Sequence, residues 1–195
     1  MKIIDISQEL TTANVYDGDP KPQFNRIISM NDGEPYNLST LSMCLHNGTH
    51  IDAPSHFIEG GKTVDQIPLS TLIGRCFVAI HAGDVTALDA EKILEKAKAK
   101  KACERILLRG ELTVTEEAAR VFAKEKIRLL GNEGQTVGPK DAPMAVHLIL
   151  LGAGTVLLEG IVLDEVEEGA YLLNAAPLNI EGAEGSPCRA WLIKD

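Results

Sequence analysis

Apolar and polar positions change rhythm partway along the chain. In the N-terminal part the runs are short and suit strands. KIIDI (2–6), RIISM (26–30) and CFVAIHA (76–82) are compact apolar segments, and each predicts a strand. TLSMCLH (40–46) alternates, which predicts a strand with Leu41, Met43 and Leu45 on one face and Ser42, Cys44 and His46 on the other. From Ala87 onward helical spacing appears. ALDAEKILEKAKAKKA (87–102) carries Ile93, Leu94 and Ala97 at helical intervals. TVTEEAARVFAKEK (113–126) reads as a helix opened by Thr113 and Glu116 at capping-box spacing. DAPMAVHLILLGAG (141–154) reads as a third, with Asp141 near its N-cap and glycine at its end. Between and after these lie RILLRG, IRLLG, TVLLEG, YLLNAAPL and RAWLIKD, all strand-like. Strands alternating with helices predict an α/β fold. We expect one domain, residues 1–195, with a mixed β-sheet or barrel-like β core flanked by helices.

Composition narrows the functional classes. The chain is 45% hydrophobic, enough for a core, but no apolar run is long enough to span a bilayer. The start lacks the apolar region of a signal peptide, so a cytoplasmic location is expected. The net charge is −9, and the one basic cluster, EKAKAKKACER, is interleaved with acids and alanines. Such a stretch is a solvated helix face, so neither nucleic acid nor membrane is an expected partner. The four cysteines, Cys44, Cys76, Cys103 and Cys188, form no C-x-x-C pair and are expected to be reduced thiols.

The chemistry concentrates in HNGTHIDAPSHF (46–57), which holds three of the chain's five histidines. A helix would align His46 and His50, but Gly48 and Pro54 oppose one. An extended segment after a turn at Gly48 places His50 and Asp52 on one side and Thr49 and Ile51 on the other. Two imidazoles and a carboxylate suit a divalent ion such as Zn²⁺ or Mn²⁺ and leave positions open for water. His56, just past Pro54, could stand near the ion without ligating it and act as general acid and base. Histidine pairs four apart usually mean nothing. It is Asp52 and His56, in a chain this poor in histidine, that make the cluster a candidate site.

The stretch resembles the H-x-G-T-H-x-D-x-P-x-H signature of the metal-dependent cyclase family, the group of bacterial kynurenine formamidase and isatin hydrolase. It matches at His46, Gly48, Thr49, His50, Asp52, Pro54 and His56. DISQEL, YDGDP, GKTVDQIPLSTLIG, LEGIVLDEV and APLNIEGAEGSPCRAWLI are similar to family segments as well. The resemblance implies a swivelling β/β/α type of fold. It also implies a second group of ligands, His147 from a helix and Glu159 twelve residues later, with Asp52 bridging. One or two metals per chain would then support hydrolysis of an amide in a small-molecule substrate, arylformamidase-like, with His56 carrying the proton. Glu159, closing an otherwise apolar strand, fits a buried cation partner, whereas His147 alone would read as a core histidine. His81 is expected to be structural. The resemblance further implies a homodimer or higher homo-oligomer whose pocket is partly built by a neighbouring chain.

The chain departs from that pattern in two places. GNEGQTVG (131–138) has Glu133 and Thr136 where relatives carry aspartate and serine, and Arg109-Gly110-Glu111 leads straight into a helix. The substrate pocket is therefore rebuilt, and no substrate-binding residue is assigned. Phe24, Tyr36 and Phe57 are the candidate pocket aromatics. Other functions use the same residues: a cyclase closing a ring with loss of water, or a metal-binding or small-ligand-binding protein without catalysis. A purely structural zinc site would instead close with four ligands and favour cysteine.

Overall fold

The structure is a computed structural model and describes residues 1–194. In chain order the elements are β1 (Lys2–Asp5), β2 (Gln23–Ile28), β3 (Leu38–Ser42), β4 (His50–Asp52), α1 (Leu69–Leu72), β5 (Ile73–Ile80), β6 (Gly83–Val85), α2 (Ala87–Ala99) and β7 (Arg105–Arg109). They continue with β8 (Leu112–Val114), α3 (Glu116–Lys124), β9 (Leu129–Asn132), α4 (Met144–Gly152), β10 (Val156–Glu159), β11 (Gly169–Asn174), β12 (Gly185–Pro187) and β13 (Trp191–Lys194). Nine strands form one mixed sheet in the order β1-β13-β11-β5-β7-β9-β10-β4-β12. Its centre, β5-β7-β9-β10, is parallel, and the strands flanking that centre on either side run antiparallel.

The central strands are apolar throughout because both faces are covered. Along β7, Ile106 and Leu108 face the layer of α2, α3 and α4, where they pack with Leu94, Phe122 and Leu150. Leu107, between them, faces the other core. That second core joins Ile51 and Leu158 from one end of the sheet to Leu173 and Leu192 from the other, so the sheet curls into a half-barrel around it. Each such side chain, wholly removed from water, contributes about 1.5–3 kcal/mol. The predicted α/β class, with a barrel-like mixed sheet flanked by helices, matches this architecture.

Several local expectations are corrected. The predicted alternating strand over 40–46 ends at Ser42, and Leu41 is 49% exposed rather than facing a core. The Asn47 side chain accepts from the Cys44 amide at 3.0 Å, and the Asn47 amide donates to Cys44 O at 3.2 Å. These local bonds replace the ladder and turn the chain. β3 instead pairs with β2 in a separate two-stranded hairpin. Thr113 does not cap α3: it lies in β8, paired with Asp84 of β6. Thr115 is the cap, its Oγ1 accepting from the Ala118 amide at 3.2 Å. Asp141 does not cap α4, which starts after Pro143 without a side-chain cap. The predicted YLLNAAPL strand stops at Asn174, whose Oδ1 accepts from the Ala176 amide and turns the chain there. The closing strand was expected to reach Asp195, which lies outside the described residues.

The assignment of the α3 cap is tested by paired variants. Thr115→Ala should cost about 1 kcal/mol in chemical denaturation, as loss of an N-cap does, while Thr113→Ala should stay within about 0.5 kcal/mol. The reverse order would return the cap to Thr113.

Candidate metal centre

The site is built on β4, a short strand held between β10 and β12. Strand alternation sends Ile51 into the core, fully buried, and turns His50 and Asp52 to the opposite face. The antiparallel register sets Glu159, the last residue of β10, directly across from His50. His147 comes from the middle of α4 and is also buried. The turn before β4 delivers His46, with Gly48 at φ +64°. Thr49 Oγ1 fixes that turn by donating to Gly160 O at 2.6 Å and accepting from the Gln8 amide at 2.9 Å. Gly160, at φ +66°, lies so close that an added Cβ would sit 2.4 Å from Gly48 O. Only glycine fits there.

Five side chains converge as a result. His46, His50 and Asp52 can offer ligand atoms all within 4.8 Å of one another, and so can Asp52, His147 and Glu159. Asp52 belongs to both groups. Its Oδ1 is 2.8 Å from His46 Nδ1 and 3.3 Å from His50 Nε2, and its Oδ2 is 3.6 Å from His147 Nε2. Glu159 reaches His147 Nε2 at 3.4 Å and His50 Nε2 at 3.7 Å, and it accepts from the Val137 amide at 2.8 Å. His50 Nδ1 faces Gly48 O at 3.0 Å, and His147 Nδ1 faces Pro143 O at 2.9 Å. In that arrangement each neutral ring donates outward and turns its Nε2 lone pair inward. Asp52 Oδ2 is buried with no hydrogen-bond partner. Two buried carboxylates facing inward lone pairs call for positive charge between them, so the donor set fits one or two divalent ions.

Without a metal, protons supply that charge. Burial works against a charged His50, but the hydrogen bond and charge of Asp52, then the charge of Glu159, outweigh it, and the pKa is pushed up to about 9. Burial likewise opposes charge on His147, yet the facing carboxylates of Asp52 and Glu159 outweigh it and push it up to about 10. Burial alone would raise Asp52, but the surrounding imidazoles hold it well below the usual carboxylate range. Glu159 is raised, first by burial and then by the Asp52 charge. His56 stands outside both ligand groups. Its ring stacks on His46 with centroids 4.2 Å apart, and the His147 centroid is 6.2 Å away. Burial, the largest influence, lowers its pKa.

A cavity of about 290 Å³ opens over the cluster, walled by Tyr16, Asp19, Cys44, Phe57, Gln135 and Thr136. A larger groove of about 670 Å³ contains none of the imidazoles and is lined by Ser7, Gln8, Thr49 and Pro187 among others. The chemistry is in the smaller one. Of the three aromatics expected at the pocket, only Phe57 lines it, its ring 4.8 Å from that of His147. Phe24 and Tyr36 are 54% and 52% exposed, Phe24 in β2 and Tyr36 just before β3. Tyr16, Asp19, Gln135 and Thr136 were not assigned from sequence. Tyr16 and Asp19 fall in the YDGDP segment, and Gln135 and Thr136 in the divergent GNEGQTVG, so position alone marked them. Glu133 is a staple between loops, accepting from the Gly110 amide at 2.6 Å and the Leu163 amide at 2.8 Å. His81 lies away from the cluster, with its Nε2 3.1 Å from Asp84 O.

Fold and site together define a class: an α/β protein whose curled mixed sheet carries a centre of three imidazoles and two carboxylates able to hold divalent ions. Residues 4–139 match the family described as "Putative cyclase", and the chain belongs to that family. It is 32% identical over 205 residues to a kynurenine formamidase of Erythrobacter litoralis, covering 98% of this chain and 93% of the relative. It is 31% identical to that of Salinibacter ruber, covering 98% and 97%. Among solved structures, a predicted metal-dependent hydrolase from Bacillus stearothermophilus superposes with a TM-score of 0.81 at 28% identity, covering 98% of this chain and 97% of the other. Isatin hydrolase A from Labrenzia aggregata shares the fold, with a TM-score of 0.83 at 24% identity, covering 98% and 93%.

The raised imidazoles give a linkage prediction. At pH 7 the metal-free chain carries His50 and His147 protonated, because their pKa values of about 9 and 10 lie above that pH. Zn²⁺ uptake should displace about two protons, and its affinity should climb with pH up to that range. Calorimetry in buffers of different ionisation enthalpy measures the release. The same protons stabilise the metal-free fold fully below the unfolded value of 6.5, and that contribution fades as pH rises through 9 to 10. Zinc uptake without proton release would contradict this charge assignment.

Proposed function

We propose that this chain is a metal-dependent hydrolase that cleaves a C–N amide bond in a small linear formamide or cyclic amide, arylformamidase-like in its chemistry. The observation that carries this is the doubled cluster sharing Asp52, with His56 beside it at the floor of one cavity. Imidazole and carboxylate together suit Zn²⁺ or Mn²⁺. The two Asp52 oxygens, turned toward different histidines, support two ions per chain, with His46, His50 and Asp52 holding one and Asp52, His147 and Glu159 the other. A bound ion would acidify water and steady the charge developing on the carbonyl oxygen. His56, kept neutral by burial, takes the proton of the attacking water and returns it to the leaving nitrogen. Phe57, Tyr16, Gln135 and Thr136 line the cavity that would receive the substrate. The relatives named kynurenine formamidase support a formamide as substrate.

The protein works as a homodimer or larger homo-oligomer in this proposal. The β2–β3 hairpin exposes Phe24, Ile27, Leu38 and Leu41. Two strands alone are marginal in water, and such an apolar surface calls for cover. A cytoplasmic setting agrees with four free cysteines, and no helix among the described residues is long and apolar enough to cross a membrane.

Two experiments test these proposals. The metal-loaded protein is screened against formanilides, cyclic imides, lactams and lactones. His56→Ala should keep about one or two metal equivalents per chain, as the ligand count requires, and lose about a hundredfold or more in turnover. Normal turnover by that variant would remove His56 from the mechanism. Sedimentation should show a dimer or larger particle that Leu41→Lys weakens; a monomeric wild type would refute the oligomer.

A further inference from the structure

The three imidazoles around Asp52 are not held in the same way. His50 and His147 each present Nδ1 to a backbone carbonyl and Nε2 to the carboxylates. His46 is reversed: its Nδ1 faces Asp52 Oδ1 at 2.8 Å, and its Nε2 points away from the cluster. That outer nitrogen is buried and has no hydrogen-bond partner. A neutral imidazole carries one N–H. If Nδ1 gives its lone pair to an ion, the proton must sit on Nε2, and a buried N–H needs an acceptor. The carboxylate of Glu184 stands 3.5 Å from Nε2.

The surrounding backbone fixes this relation. Glu184 O accepts from the Ala53 amide at 2.8 Å, and the neighbouring Ala183 O accepts from the Val64 amide at 2.8 Å. Gly185 enters β12 opposite Asp52. A Cβ there would lie 2.5 Å from His46 Cε1, so the missing side chain lets the backbone close on the ring. The Glu184 side chain is 45% exposed, free to rotate the short remaining distance onto Nε2. We propose that Glu184 is a positioning residue whose carboxylate accepts the Nε2 proton of His46 and fixes the tautomer in which Nδ1 faces the ion. It would supply for His46 what the Gly48 and Pro143 carbonyls supply for the other two rings. Because His56 stacks on His46, the same contact also steadies the proton carrier. This rests on the metal-centre reading above.

The test uses the full chain and zinc alone as probe. Competition with a chelator gives the zinc affinity of the wild type, Glu184→Ala, Glu184→Asp and Glu184→Gln. Long-range proton–nitrogen spectra report which nitrogen of His46 carries the proton in the zinc-loaded protein. We expect an Nε2-protonated His46 in the wild type. Glu184→Ala should bind zinc about 10- to 100-fold more weakly, the usual cost of losing a group that orients a ligand. Glu184→Asp should recover part of that loss, and Glu184→Gln should fall between alanine and the wild type. Thermal unfolding of the metal-free variants should match the wild type, which separates positioning from folding. Unchanged zinc affinity in Glu184→Ala, or an Nδ1-protonated His46 in the loaded wild type, overturns the role of Glu184 alone. A wild type that binds no zinc overturns the metal centre along with it.

Discussion

The buried carboxylate of Asp52 is the constraint around which this molecule is arranged. It is almost wholly removed from water, and a second carboxylate, Glu159, is buried nearby. Two such charges in a dry interior are costly unless positive charge lies between them. Three imidazoles surround them, and two of these are so placed that they hold protons well past neutral pH when nothing else is present. A divalent ion meets the same demand with more charge in less space. The cluster is thus suited to hold cations, and protons meet the same demand when no ion is present.

The sheet exists in the form that this cluster requires. Its parallel centre supplies rigid strands whose side chains pack two cores. At β10 the order switches, and β4 runs antiparallel to it, which brings His50 opposite Glu159. The centre therefore lies at the carboxyl end of a parallel strand where the topology changes, the position at which open α/β sheets present ligand sites. The loop after β9 closes over it and contributes the Val137 amide to Glu159 and Gln135 and Thr136 to the wall. Glu133 anchors that loop to backbone amides on both sides, so Gln135 and Thr136 are held at the wall of the cavity independently of the five candidate ligands.

Much of this was legible in the chain. The apolar runs of β5, β7, β9 and β10 and the helical spacing of α2, α3 and α4 predicted the α/β class, because burial on both faces leaves a plain pattern. The candidate ligands were legible for two different reasons. His46, His50, Asp52 and His56 crowd eleven residues, so local spacing carried them. His147 and Glu159 came from resemblance, since a single histidine in an apolar helix carries no signal of its own. What failed was local and polar. The Thr115 cap, the early end of β3 and the uncapped start of α4 each depended on a short-range bond or a strand pairing that competed with the pattern.

By itself the sequence determined the alternation that makes Ile51 core and its neighbours candidate ligands, and the glycines that let His46 return. The tertiary structure decided which distant residues share that face, because register across β10 and the seat of α4 follow from packing over the whole sheet. It also decided the pocket wall, turning Tyr16, Gln135 and Thr136 inward and leaving Phe24 and Tyr36 exposed. It set the orientation of His46 as well, whose reversed ring lies against Gly185 and turns Nε2 toward Glu184, more than a hundred residues away. Spacing along a chain constrains what neighbours can do together; which nitrogen faces which carboxylate is fixed only when remote backbone closes around the ring.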